Sequence, residues 1–476
     1  MRGQAPTRYR ARPVDSEIGV RYADPVRIIY LDIDCLRPDH LGCYGYNRPT
    51  SPAIDSIAAD GMRFNRYYCQ SSPCLPSRTA LASGRFGIRN GVVSNVGAGA
   101  EFHLKTRDYG GPAPENEMFP RLLRAAGYDT YCFSNFADRH NALWFMYGWS
   151  EFHTPNLKGG AETAEEVTDC LFPWLRRNAQ RDNYFLHINF WDTHRCYKMD
   201  ESWADRFGGY PVTQSWPDED AIGAHQQITG PFTANGQFSD HRSPYPLMPG
   251  AVRSRADFEQ MITGYDAAIA YVDYHVSNIT DVLSEAGVLE DTAIIISSDH
   301  GDAFGEHGIY SDHVCADECI HRVPLIVKWP GIANRGSSEA LLYNVDLPAT
   351  VCDILGIERP ADWDGTSFKN QVEGTEGGGH EYLVWDHGLY TVQRAVRTRQ
   401  HLLINTFDDY GYNFAKTELY DIAKDPYQTN NIALAVPETA AVLGEMLTDW
   451  EDKQLSGSTI ADPLRKILAA RAAVDS

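Results

Sequence analysis

Residues 26–34 read Val-Arg-Ile-Ile-Tyr-Leu-Asp-Ile-Asp. An apolar run of this length, ended by carboxylates, is the pattern of a sheet strand buried on both faces that opens at its carboxyl end onto a polar site. Two later runs repeat it. Tyr184–Trp191 leads into Asp192-Thr-His194, and Thr292–Ser298 leads into Asp299-His300-Gly301-Asp302. Helical patterns lie between them: Met118–Ala126 up to Gly127, Ala161–Asn178, and Phe258–Ala286 up to Gly287. This alternation predicts an α/β sandwich, a large mixed or mostly parallel β-sheet flanked by helices. Ligand sites in open α/β sheets gather at the carboxyl ends of strands, so the three polar clusters together predict one composite site. Any one of them alone reads equally well as loop residues and helix caps.

The chain has 476 residues, more than one hydrophobic core usually serves, so a large domain with a smaller partner is expected. Its 42 Lys and Arg against 64 Asp and Glu give a net charge of −22. That balance argues against a nucleic-acid partner and against a polybasic membrane surface. No apolar run is long enough to cross a bilayer, so no membrane association is expected. Met1–Asp24 carries five arginines and no apolar segment, which predicts no secretory leader and a cytoplasmic location. Ten scattered cysteines without a Cys-x-x-Cys pair suit a reducing compartment.

Residues 198–257 are rich in Pro, Gly, His and aromatics without a period, predicting a functional insertion or a mobile flap. Its Trp203, Tyr210, Trp216, Phe232, Phe238 and Tyr245 read either as loop packing or as faces for a sugar or aryl ring. His241 and Arg242 are weaker candidates for a second anionic group. Gly374–Gly379 marks a linker. Short strands at Tyr382–Trp385, Ala395–Arg397 and Leu402–Asn405 follow, then helices at Glu438–Leu455 and Pro463–Ala473. The predicted division is a catalytic domain over 1–370 and a small C-terminal α+β subdomain over 371–476 with a short antiparallel sheet.

The strongest local signal is Cys74-Leu-Pro-Ser-Arg78-Thr-Ala-Leu-Ala-Ser-Gly84-Arg85. Pro76 suits a helix start and Gly84 a helix end. Residue 74 then faces the N-terminus of that helix, where free N–H groups favour an anion, and Arg78 one turn on can aim its donors at the same anion. The alternative is a buried structural cysteine.

On these residues the sequence resembles the sulfatases of the alkaline-phosphatase superfamily. The Cys-x-Pro-Ser-Arg core followed by Gly-Arg is similar to their signature. The likeness extends through Asp34-x-Leu-Arg-Pro-Asp-His-Leu-Gly-Cys-Tyr-Gly-Tyr46, Ser51-Pro-Ala-Ile-Asp55, Gly61-Met-Arg-Phe64, Gly264-Tyr-Asp266, Tyr271-Val-Asp273, Ser298-Asp-His-Gly301, Gly305-Glu-His-Gly308, Arg322–Val327 and Glu418–Pro426. The resemblance implies a sulfuric ester hydrolase. In it Cys74 is oxidised to formylglycine by a formylglycine-generating or anaerobic sulfatase-maturing enzyme. The hydrated aldehyde attacks sulfur in line and the alcohol leaves. The second hydroxyl then loses its proton, sulfate departs by C–O cleavage, and the aldehyde rehydrates.

The resemblance also implies one divalent metal held by Asp34, Asp299 and His300 with residue 74. Oxygen-rich ligation favours Ca²⁺, and the histidine leaves Mn²⁺ open. Cys35 stands where many relatives place a second carboxylate. Asp32, two residues back on the same side of the strand, either joins the metal or caps a helix. His194 either contacts a sulfuryl oxygen or protonates the leaving oxygen, or is a loop histidine bonded to a carbonyl. Two family lysines are absent. Asn135 replaces one, with Arg139 or His140 just beyond, and His313 is the nearest substitute for the other. The expected substrate is a sulfated small molecule or saccharide, and homo-oligomerisation stays open. The rivals are a phosphonate monoester or phosphodiester hydrolase of the same superfamily and a catalytically silent sulfoglycan-binding protein.

Overall fold

In the computed structural model, which describes residues 26–103, 118–375, 377–457 and 460–474, the run at 26–34 forms the strand Arg27–Ile33. It pairs in parallel with Tyr184–Phe190 on one side and Thr292–Ser297 on the other. The residues of these strands alternate between two cores. Ile29, Leu31 and Ile33 pack with Val167, Leu171 and Trp174 and with Ile262, Ile269, Val276 and Leu283. Ile28 and Tyr30 pack on the opposite face with Ile295, Phe119, Leu123 and Phe185. Two covered faces explain why the sequence shows a continuous apolar run rather than an alternating one.

The sheet grows to nine strands by adding Asp129–Phe133 and Glu151–His153 at one side and Arg322–Lys328, Met62–Tyr68 and short edge strands at the other. Arg322–Lys328 runs antiparallel to both neighbours, so the sheet is mixed. The helix Ala164–Asn178 opens with a capping box, Thr163 and Glu166 satisfying each other's backbone N–H groups. The helix Arg255–Glu285 is capped by Ser254 and is buried along the side facing the sheet. Among the described residues, no helix is long and apolar enough to cross a membrane. The stretch Met1–Asp24, on which the leader and location expectation rested, lies outside the described residues.

A separate five-stranded sheet contains Leu383–His387, Val392–Arg397, His401–Asp408 and Thr417–Asp421, with the helix Pro437–Leu455 packed on it through Leu443, Leu447 and Trp450. Its fifth strand comes from far away in sequence. Ser71–Ser72, immediately before the signature cysteine, pairs in parallel with Asp386 and His387. The C-terminal sheet therefore holds the segment that leads into residue 74.

Residues 198–257 are pinned to the body rather than projecting from it. Trp203 meets Tyr271 edge-on at 5.0 Å, and Thr233 bridges to Ile309. Phe238 and Tyr245 pack against the main core and Phe232 against a smaller cluster, so most of the aromatic residues there serve packing. His241 and Arg242 are exposed.

Candidate active site

The central position of Arg27–Ile33 decides the site. Asp32 is in register with Asn189 on one neighbour and Ser297 on the other, so all three polar strand ends emerge at one edge. The signature helix runs Cys74–Ser83, starting two residues before the expected Pro76. Proline is tolerated there because the N–H groups of a first turn have no intrahelical partner. Cys74 thus sits on the first turn itself, its Sγ 3.1 Å from His300 Nε2. One ligand atom each from Asp34, Cys74, Asp299 and His300 lies within 4.8 Å of the others, all four residues buried. His300 Nδ1 donates to the Gly301 carbonyl at 2.9 Å, which leaves Nε2 unprotonated and facing the cluster.

Arg78 departs from the sequence expectation. Instead of aiming at a ligand anion, it is held by carboxylates. Nε and Nη2 grip Asp32 at 2.7 and 3.0 Å, and Nη1 reaches Asp34 at 2.9 Å and Asp299 at 2.6 Å. A desolvated guanidinium pairs with the nearest anions, and these three are buried beside it. Asp32 also accepts from His187 Nε2 at 3.1 Å. Among the described residues it is outside the convergent ligand group and caps no helix, so both expectations for Asp32 are corrected: it anchors Arg78. Burial would raise Asp34, but Arg78, His194 and His300 hold it well below the carboxylate range. Asp299 is pushed well above that range by burial and by repulsion from Asp34 and Asp32, despite Arg78.

His194 donates Nδ1–H to the Arg195 carbonyl at 2.7 Å, and its Nε2 accepts from Arg139 Nη2 at 3.0 Å. Burial lowers its pKa to about 4, with Asp34 opposing and Arg139 assisting the fall. His194 is therefore neutral here, an acceptor rather than a loaded acid. Asn135 turns away: its amide donates to Glu162 at 2.9 Å and to the Asn156 carbonyl, fastening that loop instead of reaching the cluster. The expectation of substrate contact from Asn135 is corrected, because the short helix Phe136–His140 carries Arg139 inward. His140 lies beside Phe136 with its buried Nε2 unpartnered. His313 does come in: its ring lies 4.2 Å from that of His300 and 5.6 Å from that of His194. Its Nδ1 is 2.8 Å from Asp302 Oδ1.

Sequence reasoning assigned no role to Trp191 or Asp302. Trp191 is a buried wall with Arg78 and Arg139 each 5.2 Å from its ring. Asp302 was visible as the last residue of Asp299-His300-Gly301-Asp302, three after a candidate ligand, but nothing local revealed its partner. Asp192 belongs elsewhere. It lies against the N-terminus of the Ala164–Asn178 helix, and burial lifts it to about 7.

The donor set fits a divalent cation. Three buried carboxylates face one guanidinium, leaving two negative charges uncompensated if all ionise, and the upward push on Asp299 expresses that deficit. The Cys74 thiol is pushed up by burial and by Asp34 and Asp299, so it is an inert thiol as encoded.

The family profile described as Sulfatase matches residues 27–357, and that of the N-sulphoglucosamine sulphohydrolase C-terminal region matches 305–454. The N-acetylglucosamine-6-O-sulfatase of Bacteroides thetaiotaomicron is 24% identical, covering 85% of this chain and 82% of its own. A solved structure in complex with its substrate D-glucosamine-2-N,6-O-disulfate superposes with a TM-score of 0.72 at 20% identity, covering 92% of this chain and 99% of its own. The phosphonate monoester hydrolase of Agrobacterium radiobacter superposes at 0.68 with 19% identity, covering 91% and 96%.

Proposed function

Because this chain belongs to the sulfatase family, enzymes that hydrolyse sulfate esters, we propose that residue 74, converted to formylglycine, is its nucleophile and that the substrate is a sulfated saccharide. The observation that carries the reading is the convergence of Cys74 with Asp34, Asp299 and His300 at a helix N-terminus. Ca²⁺ is the favoured ion for an oxygen-rich set of this kind, with Mn²⁺ the alternative. Asp34, Asp299, His300 and residue 74 would hold it, and it would supply Lewis-acid polarisation of the sulfuryl oxygens.

The remaining chemistry comes from the chain's own residues. Arg78 fixes Asp34 and Asp299 beside residue 74, and Asp32, itself bonded to His187, grips the other edge of the guanidinium. Arg139 and His313 take the positions of the two missing lysines and bind sulfuryl oxygens. His194 lies between them, and its Nε2 accepts or returns a proton at the ester or leaving oxygen once substrate displaces Arg139. Trp191 closes the pocket beneath the two arginines and keeps it dry. The likeness to sulfatases acting on N-acetylglucosamine and hexuronate sulfates supports a saccharide substrate. A division near residue 370 into a catalytic domain and a C-terminal subdomain is part of the same proposal, in which the C-terminal sheet supports the nucleophile segment through Ser71–Ser72.

The test is co-expression with a formylglycine-generating enzyme, peptide mass analysis of residue 74, and kinetics on 6-O-sulfated N-acetylglucosamine, an aryl sulfate and a phosphonate monoester. Sulfate release that depends on conversion of Cys74 supports the nucleophile. An unconverted Cys74 in active enzyme overturns it, and a dominant phosphonate activity overturns the substrate class.

A further inference from the structure

Behind His300, on the side away from Cys74, a second group of donors converges. One atom each from Cys35, His300, Asp302 and His313 lies within 4.8 Å of the others, and all four residues are buried. The distances have a recognisable pattern. Cys35 Sγ is 3.8 Å from His300 Nδ1 and 3.9 Å from His313 Nδ1, too long for good S–H···N hydrogen bonds. His313 Nδ1 is 2.8 Å from Asp302 Oδ1. A tetrahedral zinc with Zn–S of about 2.3 Å and Zn–N of about 2.0–2.1 Å places its sulfur and nitrogen ligands about 3.5 Å apart and its nitrogen and oxygen ligands about 3.3 Å apart. The two sulfur edges are within a few tenths of an ångström of these values, and the His313–Asp302 edge is about half an ångström shorter, the length of the N–H···O bond that the ion would replace.

A second observation points to a ligand at the same place. Asp302 is 0% exposed, and its Oδ2 has no hydrogen-bond partner. An orphan carboxylate oxygen in a dry interior is costly unless something binds it. The Cys35 thiol meanwhile makes its closest contact with Asp34 Oδ1 at 3.1 Å, which ties this group to the residue beside it in sequence.

We propose that Cys35, Asp302 and His313 form a second metal site, specific for a borderline-soft ion such as Zn²⁺, distinct from the oxygen-rich site on the other side of His300. Thiolate and imidazole select zinc-like ions, whereas Asp34 and Asp299 select a harder one. The fourth position belongs to water, because His300 Nδ1 keeps its proton on the Gly301 carbonyl and its Nε2 faces the other site. Binding releases the thiol proton of Cys35 to solvent and displaces the His313 Nδ1 proton from Asp302, the ring retaining one proton, on Nε2. His313 Nε2 then becomes the only N–H donor of that ring, and its tautomer is set by the ion.

The probe is Co²⁺, added to the full chain with calcium in excess to occupy the oxygen-rich site. Tetrahedral cobalt bound to a thiolate gives intense visible d–d bands and a near-ultraviolet sulfur-to-cobalt charge-transfer band. Those bands are expected in the wild type and in Cys74→Ala, which removes the other nearby thiol, and they should vanish in Cys35→Ser. Asp302→Asn should weaken cobalt binding about 10- to 100-fold. Bands that survive Cys35→Ser, or that disappear in Cys74→Ala, overturn the assignment. Should Cys35→Ser fail to fold, X-ray absorption of the zinc-loaded wild type decides: one sulfur with nitrogen and oxygen neighbours sustains the site, and a shell without sulfur refutes it.

Discussion

Replacing Arg139 with alanine probes how the chain does without the two lysines that many sulfatases carry. Arg139 donates Nη2 to His194 at 3.0 Å and Nη1 to the Gly159 carbonyl at 2.8 Å, and its guanidinium lies 5.2 Å from the Trp191 ring. Its charge acts on Asp34 and Cys74, which places it within the field of the nucleophile. A unit charge about 4 Å from a bound sulfate, at an effective dielectric near 20, contributes about 4 kcal/mol. Arg139 is only half-buried, so about 2–4 kcal/mol is the reasonable range, comparable to losing one oxyanion donor. Arg139→Ala should therefore lower kcat/KM for a sulfate ester about 30- to 10³-fold, with most of the loss in KM if ground state and transition state are held alike. Arg139→Lys keeps the charge and should recover activity to within about tenfold of wild type. Asn135→Ala should change kcat/KM less than Arg139→Ala, because Asn135 faces Glu162. Steady-state kinetics on one aryl sulfate and one sugar sulfate measure all three. A threefold or smaller effect of Arg139→Ala, or a lysine variant as poor as the alanine variant, would refute the placement.

Further outcomes follow from charge and packing elsewhere. His307, paired with Asp317 at 3.3 Å, has its pKa raised to about 9: burial opposes the charge, but Asp317 and Glu418 outweigh it. Its folded pKa exceeds its unfolded value, so it contributes up to about 3 kcal/mol below pH 6.5, and that contribution disappears as pH rises through 9. Urea unfolding across that window should show the loss, and Asp317→Asn should flatten it. Divalent-metal removal should lower thermal stability, and re-addition at about 100 times Kd should restore about 2.7 kcal/mol; Asp34→Asn/Asp299→Asn should abolish the dependence. Gly84 ends the nucleophile helix at φ +63°, and an added Cβ would lie 2.3 Å from the Trp363 ring, so Gly84→Ala should cost about 2–4 kcal/mol by denaturant titration.

The sequence by itself determined what depends on neighbours in the chain. A strand ending in Asp34, another in Asp299-His300, and a Cys-x-Pro-Ser-Arg helix start were each legible, since burial on two faces writes an apolar run and a helix end writes its own residues. The large sheet and the small C-terminal sheet followed from the same patterns. The tertiary structure alone decided which donors face which partners. Arg78 was read as a ligand for an anion, but three carboxylates brought from positions 32, 34 and 299 claim it first. Asn135 was read as the stand-in for a lysine, but one turn of helix carries it toward Glu162 and brings Arg139 into the pocket. No local pattern could show that Ser71–Ser72 pairs with Asp386 and His387, or that Cys35 meets Asp302 and His313. These contacts join residues separated by more than two hundred positions, and their choice rests on desolvation: a buried charge or polar atom takes the partner the folded core places beside it, which is set by register and helix phase rather than by sequence neighbourhood.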